Sequence, residues 1–117
     1  MIYRVRLAAS GHQCVDAQLA WYRSDEKHGG EPLAKRWFDA LHLALAGLSS
    51  RPTSHGLAPE NEQCLPEFQI RQMLFRPWKS RVGWRVLYTI DERKKMVTVL
   101  QVRHERRRRM FEAEDEE

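Results

Sequence analysis

Several things are scarce in this chain. There are only two cysteines among 117 residues, Cys14 and Cys64, and neither sits in a CxxC or other paired motif. A disulfide framework is thereby excluded as the organising principle, and two reduced thiols are expected. His12, His28, His42 and His55 show no HxxxH or other ligand spacing, so no metal is expected. No P-loop, GxGxxG or GxSxG is present, which removes the usual signatures of nucleotide cofactors and of an esterase nucleophile; no cofactor is expected. No apolar run approaches the roughly 20 residues needed to cross a bilayer. The opening MIYRVRLAAS lacks the charged start and long apolar middle of an export signal, so no membrane association and a cytoplasmic location are expected.

What is present is charge, unevenly placed. Residues 1–65 carry seven Lys/Arg and seven Asp/Glu, which cancel. Residues 66–111 carry thirteen basic and four acidic residues, a net of +9, and the closing EAEDEE contributes −5. One part of the fold therefore builds a surface facing something anionic. With 42% apolar residues the chain has enough material for one core, so a single domain over residues 1–108 is expected, followed by an acidic, disordered tail over 109–117.

Periodicity orders the domain. In IYRVRL (2–7), Tyr3, Val5 and Leu7 alternate with Arg4 and Arg6, a half-buried strand. Ser10 and Gln13 read as a capping box opening a helix from about His12 to Lys27, ended by His28-Gly29-Gly30. Pro32 opens a second helix to about Leu48, whose Ala34, Trp37, Phe38, Leu41, Leu45 and Leu48 form an apolar stripe. Residues 49–66 hold three prolines and no period, a loop of functional length. Three strand candidates follow, at 68–75, 82–90 and 95–102, joined by turns at RPWKSRVG and DERKK. The expected fold is α+β, in the order β-α-α-β-β-β: a helical hairpin packed on one face of a small, mostly antiparallel, twisted sheet.

Strict alternation then sorts the polar residues. Arg85 faces away from Trp84, Val86 and Tyr88, while Gln69 and Arg71 face away from Phe68 and Ile70. If the helices cover the Trp84 side, Arg71 and Arg85 lie together on the open face, with Arg103 and His104 beside them. Lys79, Arg81, Arg106 and Arg107 would extend the basic surface. Such a face suits phosphate or polyanion contact. Taken singly, each of these residues has an ordinary structural explanation; the combination is what carries weight.

The combination also resembles a known family. GWRVLY (83–88) followed by VLQVRHERR (99–107), after a strand, two helices with Trp37 in the second, and Arg51-Pro52, is similar to the RelE/ParE superfamily of toxins and plasmid stabilisation proteins from type II toxin–antitoxin systems. The resemblance spans residues 3 to about 108. It implies a cognate antitoxin, with which the chain would form a hetero-oligomer, and one of two activities: ribosome-dependent cutting of mRNA by RelE-like members, or poisoning of DNA gyrase by ParE-like members. In the RelE-like reading Arg85 would stabilise charge at the scissile phosphate, Arg71 would replace a strand lysine, and His104 would act as general acid or base. Gln69 stands in place of the other strand lysine, and Phe111 falls where a catalytic tyrosine is expected. These departures lean toward the ParE-like activity, on gyrase or another target, with mRNA cutting as the alternative. A third reading is a non-toxic nucleic-acid-binding or interaction module.

Overall fold

The computed structural model describes residues 2–58, 69–78 and 83–104. Lys79, Arg81, Arg106, Arg107, Cys64 and the acidic tail, with the expectations attached to them, lie outside the described residues.

The elements run β1 (Arg4–Leu7), α1 (Ala9–Arg23), α2 (Gly30–Ser50), β2 (Arg71–Phe75), β3 (Trp84–Asp91) and β4 (Met96–His104), the expected order. The strands form one sheet in the order β1-β4-β3-β2. β2 and β4 both pair antiparallel with β3, while β1 joins β4 in parallel, so the sheet is mixed. No described helix is long and apolar enough to cross a membrane.

Both helices pack on one face. Val15, Leu19 and Tyr22 of α1 and Ala34, Trp37, Leu41 and Leu48 of α2 are buried against Met73, Phe75, Trp84, Val86, Tyr88, Val97, Val99 and Val102. Trp37 is fully buried and meets Trp84 edge-on at 5.3 Å between centroids and Phe75 at 6.2 Å. Phe38 was expected in this stripe but is 37% exposed, packing edge-on against His42. One residue past Trp37 turns a side chain 100° round the helix, which carries Phe38 off the buried face.

The start of α1 also departs from expectation. Its N-cap is Ala8, with no side-chain cap, and the helix begins at Ala9. Ser10 instead donates its hydroxyl to the carbonyl of Leu100 at 2.6 Å, tying α1 to β4. Gly11 lies so close to β4 that a Cβ there would stand 2.6 Å from the Val99 carbonyl oxygen. The turn between the helices holds Gly29 at φ 108°, a left-handed conformation suited to glycine. After α2, the segment Gly56–Ala58 runs along the outer edge of β2: Gln72 N–H donates to Gly56 O at 3.1 Å and Ala58 N–H to Ile70 O at 2.7 Å. Part of the long loop thus covers a sheet edge.

Candidate functional site

Which side chains share a face follows from the register. Phe75, Met73 and Arg71 lie opposite Trp84, Val86 and Tyr88 in turn, all on the helix-covered side. Arg71 therefore does not join Arg85. Its guanidinium donates to the His55 carbonyl at 2.5 Å, at the margin of the core beside Tyr88. Alternation counted from Phe68 and Ile70 put β2 in the wrong phase. Ile70 lies outside the strand and is buried instead with Ala58 and Leu87 on the far face, packed against Leu100. Gln69 is exposed and also precedes the strand.

β4 carries a second change of phase. Leu87 lies opposite Gln101 but Tyr88 lies opposite Val99, so Leu100 is an extra residue, a β-bulge. Val97 and Val99 before the bulge, and Val102 and His104 after it, consequently share the helix-covered face. His104 lies opposite Trp84 and meets its ring edge-on at 5.1 Å. It lines a cavity of about 1000 Å3 whose walls include Trp21, Tyr22, His28 and Trp78. His104 and Arg85 are on opposite sides of the sheet. The expected grouping of Arg71, Arg85 and His104 on one open face is not what the strands build.

The far face carries a different set. In one row across the sheet lie Leu74, Arg85 and Arg103; in the next lie Gln72, Leu87 and Gln101. The two arginines are direct cross-strand neighbours, with Cα atoms ~4.5–5.5 Å apart as in any antiparallel pair. Gln72 accepts a hydrogen bond from Arg85 Nε at 3.0 Å. Gln101 accepts one from Arg103 Nη1 at 3.3 Å. Nor is this face bare: Leu87 is fully buried and Arg85 is only 7% exposed, so the arginine expected to stand in water is largely covered, whereas Leu74 is 45% exposed. Arg4 and Arg6 share the face on edge strand β1, where Arg6 bonds the Thr98 hydroxyl at 3.0 Å.

Gln72, Gln101 and Leu74 escaped the sequence reading because their placement depends on the phase of β2 and on the bulge. The two glutamines at matching offsets from the two arginines were a visible signal only once the strands were in register. Among the described strand residues surrounding Arg85 and Arg103 on this face, none is an imidazole or a carboxylate, and none is aromatic. The rings of Phe75, Trp84 and Tyr88 all belong to the helix side.

Two helices on one face of a four-stranded mixed sheet make up the α+β fold, and a solved structure shares it. The chain is similar to a chain of the RelBE2 toxin–antitoxin complex from Mycobacterium tuberculosis, with a TM-score of 0.52 and 20% identity over 89% of this chain and 92% of that one. A second solved structure, the archaeal RelE–RelB complex from Pyrococcus horikoshii OT3, matches at a TM-score of 0.45 and 13% identity, over 92% and 100% of the two chains. No family model matches the sequence, and neither does any curated protein.

Proposed function

We propose that the chain is the toxin of a type II toxin–antitoxin pair, acting in the cytoplasm and neutralised by an antitoxin protein, and that it arrests growth by binding a protein target such as DNA gyrase rather than by cutting RNA. The fold supports the toxin class. One observation carries the choice of activity: Arg85 and Arg103 lie on the far face with Gln72 and Gln101, while the His104 imidazole lies on the opposite side of the sheet. Attack of a ribose 2′-hydroxyl needs a proton acceptor and a leaving-group acid beside the charge-stabilising cation. The described strand residues around Arg85 supply cations and the amides of Gln72 and Gln101. Single-stranded nucleic acid is also commonly held by aromatic stacking, and no ring stands on these strand positions.

Inducible expression tests this. Growth arrest is expected without new transcript 5′ ends by primer extension, together with inhibition of gyrase supercoiling by the purified chain. Appearance of new 5′ ends that depend on the intact chain would overturn the binding reading in favour of ribosome-dependent mRNA cutting, the reading supported by the fold shared with the RelBE2 complex.

A further inference from the structure

The two edges of the sheet differ. Gly56–Ala58 runs along that of β2, whereas β1 is paired on one side only, with β4. Main-chain groups of successive strand residues point to alternate sides. Arg4 N–H donates to Lys95 O and Ala8 N–H to Val99 O, both at 2.9 Å, so Arg4 and Arg6 turn their main-chain groups toward β4 and Tyr3, Val5 and Leu7 turn theirs outward. At Tyr3 the outward groups are taken: its N–H donates to Ser49 O at 2.7 Å, and its carbonyl accepts from Ser49 Oγ at 2.8 Å. At Val5 and Leu7 no main-chain partner stands on that side among the described residues. Beside them lies a groove of about 680 Å3 whose lining includes Val5, Leu7, Leu45 and Ala46, with His12 and His42. On the other face of the same strand Arg4 and Arg6 are exposed, and the one side-chain bond shown for Arg6 is to the neutral Thr98 hydroxyl.

We infer that the edge of β1 docks an extended acidic segment of a partner protein, which adds to the sheet as a further strand. Apolar side chains opposite Val5 and Leu7 enter the groove, and a carboxylate opposite Arg6 lies over the arginines. The backbone selects a peptide over a nucleic acid. Val5 and Leu7 each present an N–H and a carbonyl, which a second strand satisfies together; phosphate oxygens only accept and leave the carbonyls without donors. Period-two alternation then fixes the sequence class, since the strand offers an apolar groove on one face and two cations on the other. A second copy of this chain does not fit. Two β1 strands joined antiparallel about Val5 would set Arg4 of each against Arg6 of the other, where like charges repel.

The test uses the full chain and a fluorescein-labelled peptide of alternating valine and glutamate. Binding is expected to slow hydrogen exchange at the Val5 and Leu7 amides, read by NMR. The same peptide N-methylated at its valines, whose amides face β1, should bind at least tenfold more weakly, and so should a peptide of alternating valine and lysine. Val5→Pro removes the outward donor while Arg4 and Arg6 keep their ladder to β4, a place where an edge strand tolerates proline; it should weaken binding at least tenfold. Arg6→Glu, at an exposed position, tests the charge even where Val5→Pro does not fold: the glutamate peptide should lose at least tenfold and the lysine peptide should gain. A methylated or lysine peptide that binds as the parent peptide does, or unchanged exchange at Val5 and Leu7, would overturn the docking edge. Oligouridylate that protects the same two amides would overturn the choice of a peptide. Protection already present in the chain alone would also overturn it, in favour of a second copy where protection rises with protein concentration and of a segment of the same chain where it does not. Binding and exchange are read whatever the chain acts on, so failure here leaves the toxin reading standing.

Discussion

Tyr88 is the residue whose burial has the clearest energetic consequence. Its ring is fully buried, and its hydroxyl donates to the Pro52 carbonyl at 2.6 Å, linking β3 to the turn after α2. Burial pushes the phenol up to about 12, opposed in part by the nearby Arg71 charge. The protonated form is thus the one the fold favours. Its contribution is complete below the unfolded value near 10 and is lost as pH climbs from about 10 through about 12. Tyr88→Phe should cost about 1–3 kcal/mol at neutral pH by leaving the Pro52 carbonyl without its donor, and should flatten the fall in stability between pH 10 and 12. Urea denaturation at pH 7 and across that alkaline range checks both; an unchanged alkaline slope would mean that another group titrates there. Residue identity was legible in the sequence wherever a short period was unbroken: Tyr3, Val5 and Leu7 pack on the core side and Arg4 and Arg6 on the other. It was not legible for Ser10, because a capping signal and a long-range hydroxyl contact use the same atom, and only the position of β4 decides between them.

At the scale of elements, the join between α1 and β4 sits at the bulge that precedes Gln101, Val102, Arg103 and His104. Ala8 N–H donates to Val99 O at 2.9 Å, Ser10 donates to Leu100 O, and the backbone of Gly11 packs against the Val99 carbonyl. The bulge is thus clamped by the first turn of a helix nearly ninety residues earlier in the chain. Gly11→Ala replaces a residue of poor helix propensity with the best one, worth about 1 kcal/mol in isolation. Here the new methyl would meet a carbonyl at 2.6 Å, so a net loss of about 1–3 kcal/mol is expected from the forced shift, measured by chemical denaturation. Increased stability would show that the helix can move off β4 at little cost. The same junction explains the limits of the sequence reading. The element order and both helices follow from periodicity and glycine signals. A one-residue bulge leaves no compositional trace in KMVTVLQVRH, yet it reverses the faces of Gln101, Val102, Arg103 and His104. His104, expected beside Arg71 and Arg85 at the strand's end, lies past that bulge on the helix side.

For the molecule as a whole, the sheet acts as a partition. One side is an aromatic core closed by two helices, and at its rim lies the cavity lined by His104; the other side carries the arginine row. Arg103 and His104 are consecutive in sequence, but their side chains reach different compartments, so substitutions at the two positions should behave independently. Arg103→Ala is expected to abolish growth arrest with little change in unfolding temperature, since its side chain is only half-buried and surface substitutions of this kind usually fall within about 0.5 kcal/mol. His104→Ala should leave growth arrest intact while removing the edge-on contact with Trp84, worth about 0.5–1.5 kcal/mol. The double variant should show the sum of the stability losses and the toxicity of Arg103→Ala alone. Induced cultures and thermal unfolding of the three variants measure this directly. Loss of growth arrest in His104→Ala, with the protein still folded, would place function on the helix side of the sheet and reverse the assignment. The basic surplus of residues 66–111 gives a reason to expect otherwise: Arg85 and Arg103, from that segment, share the far face with Arg4 and Arg6 of the neutral first half. Arginines gathered from both halves of the chain on one side of a sheet would speed the approach of an anionic partner to that side.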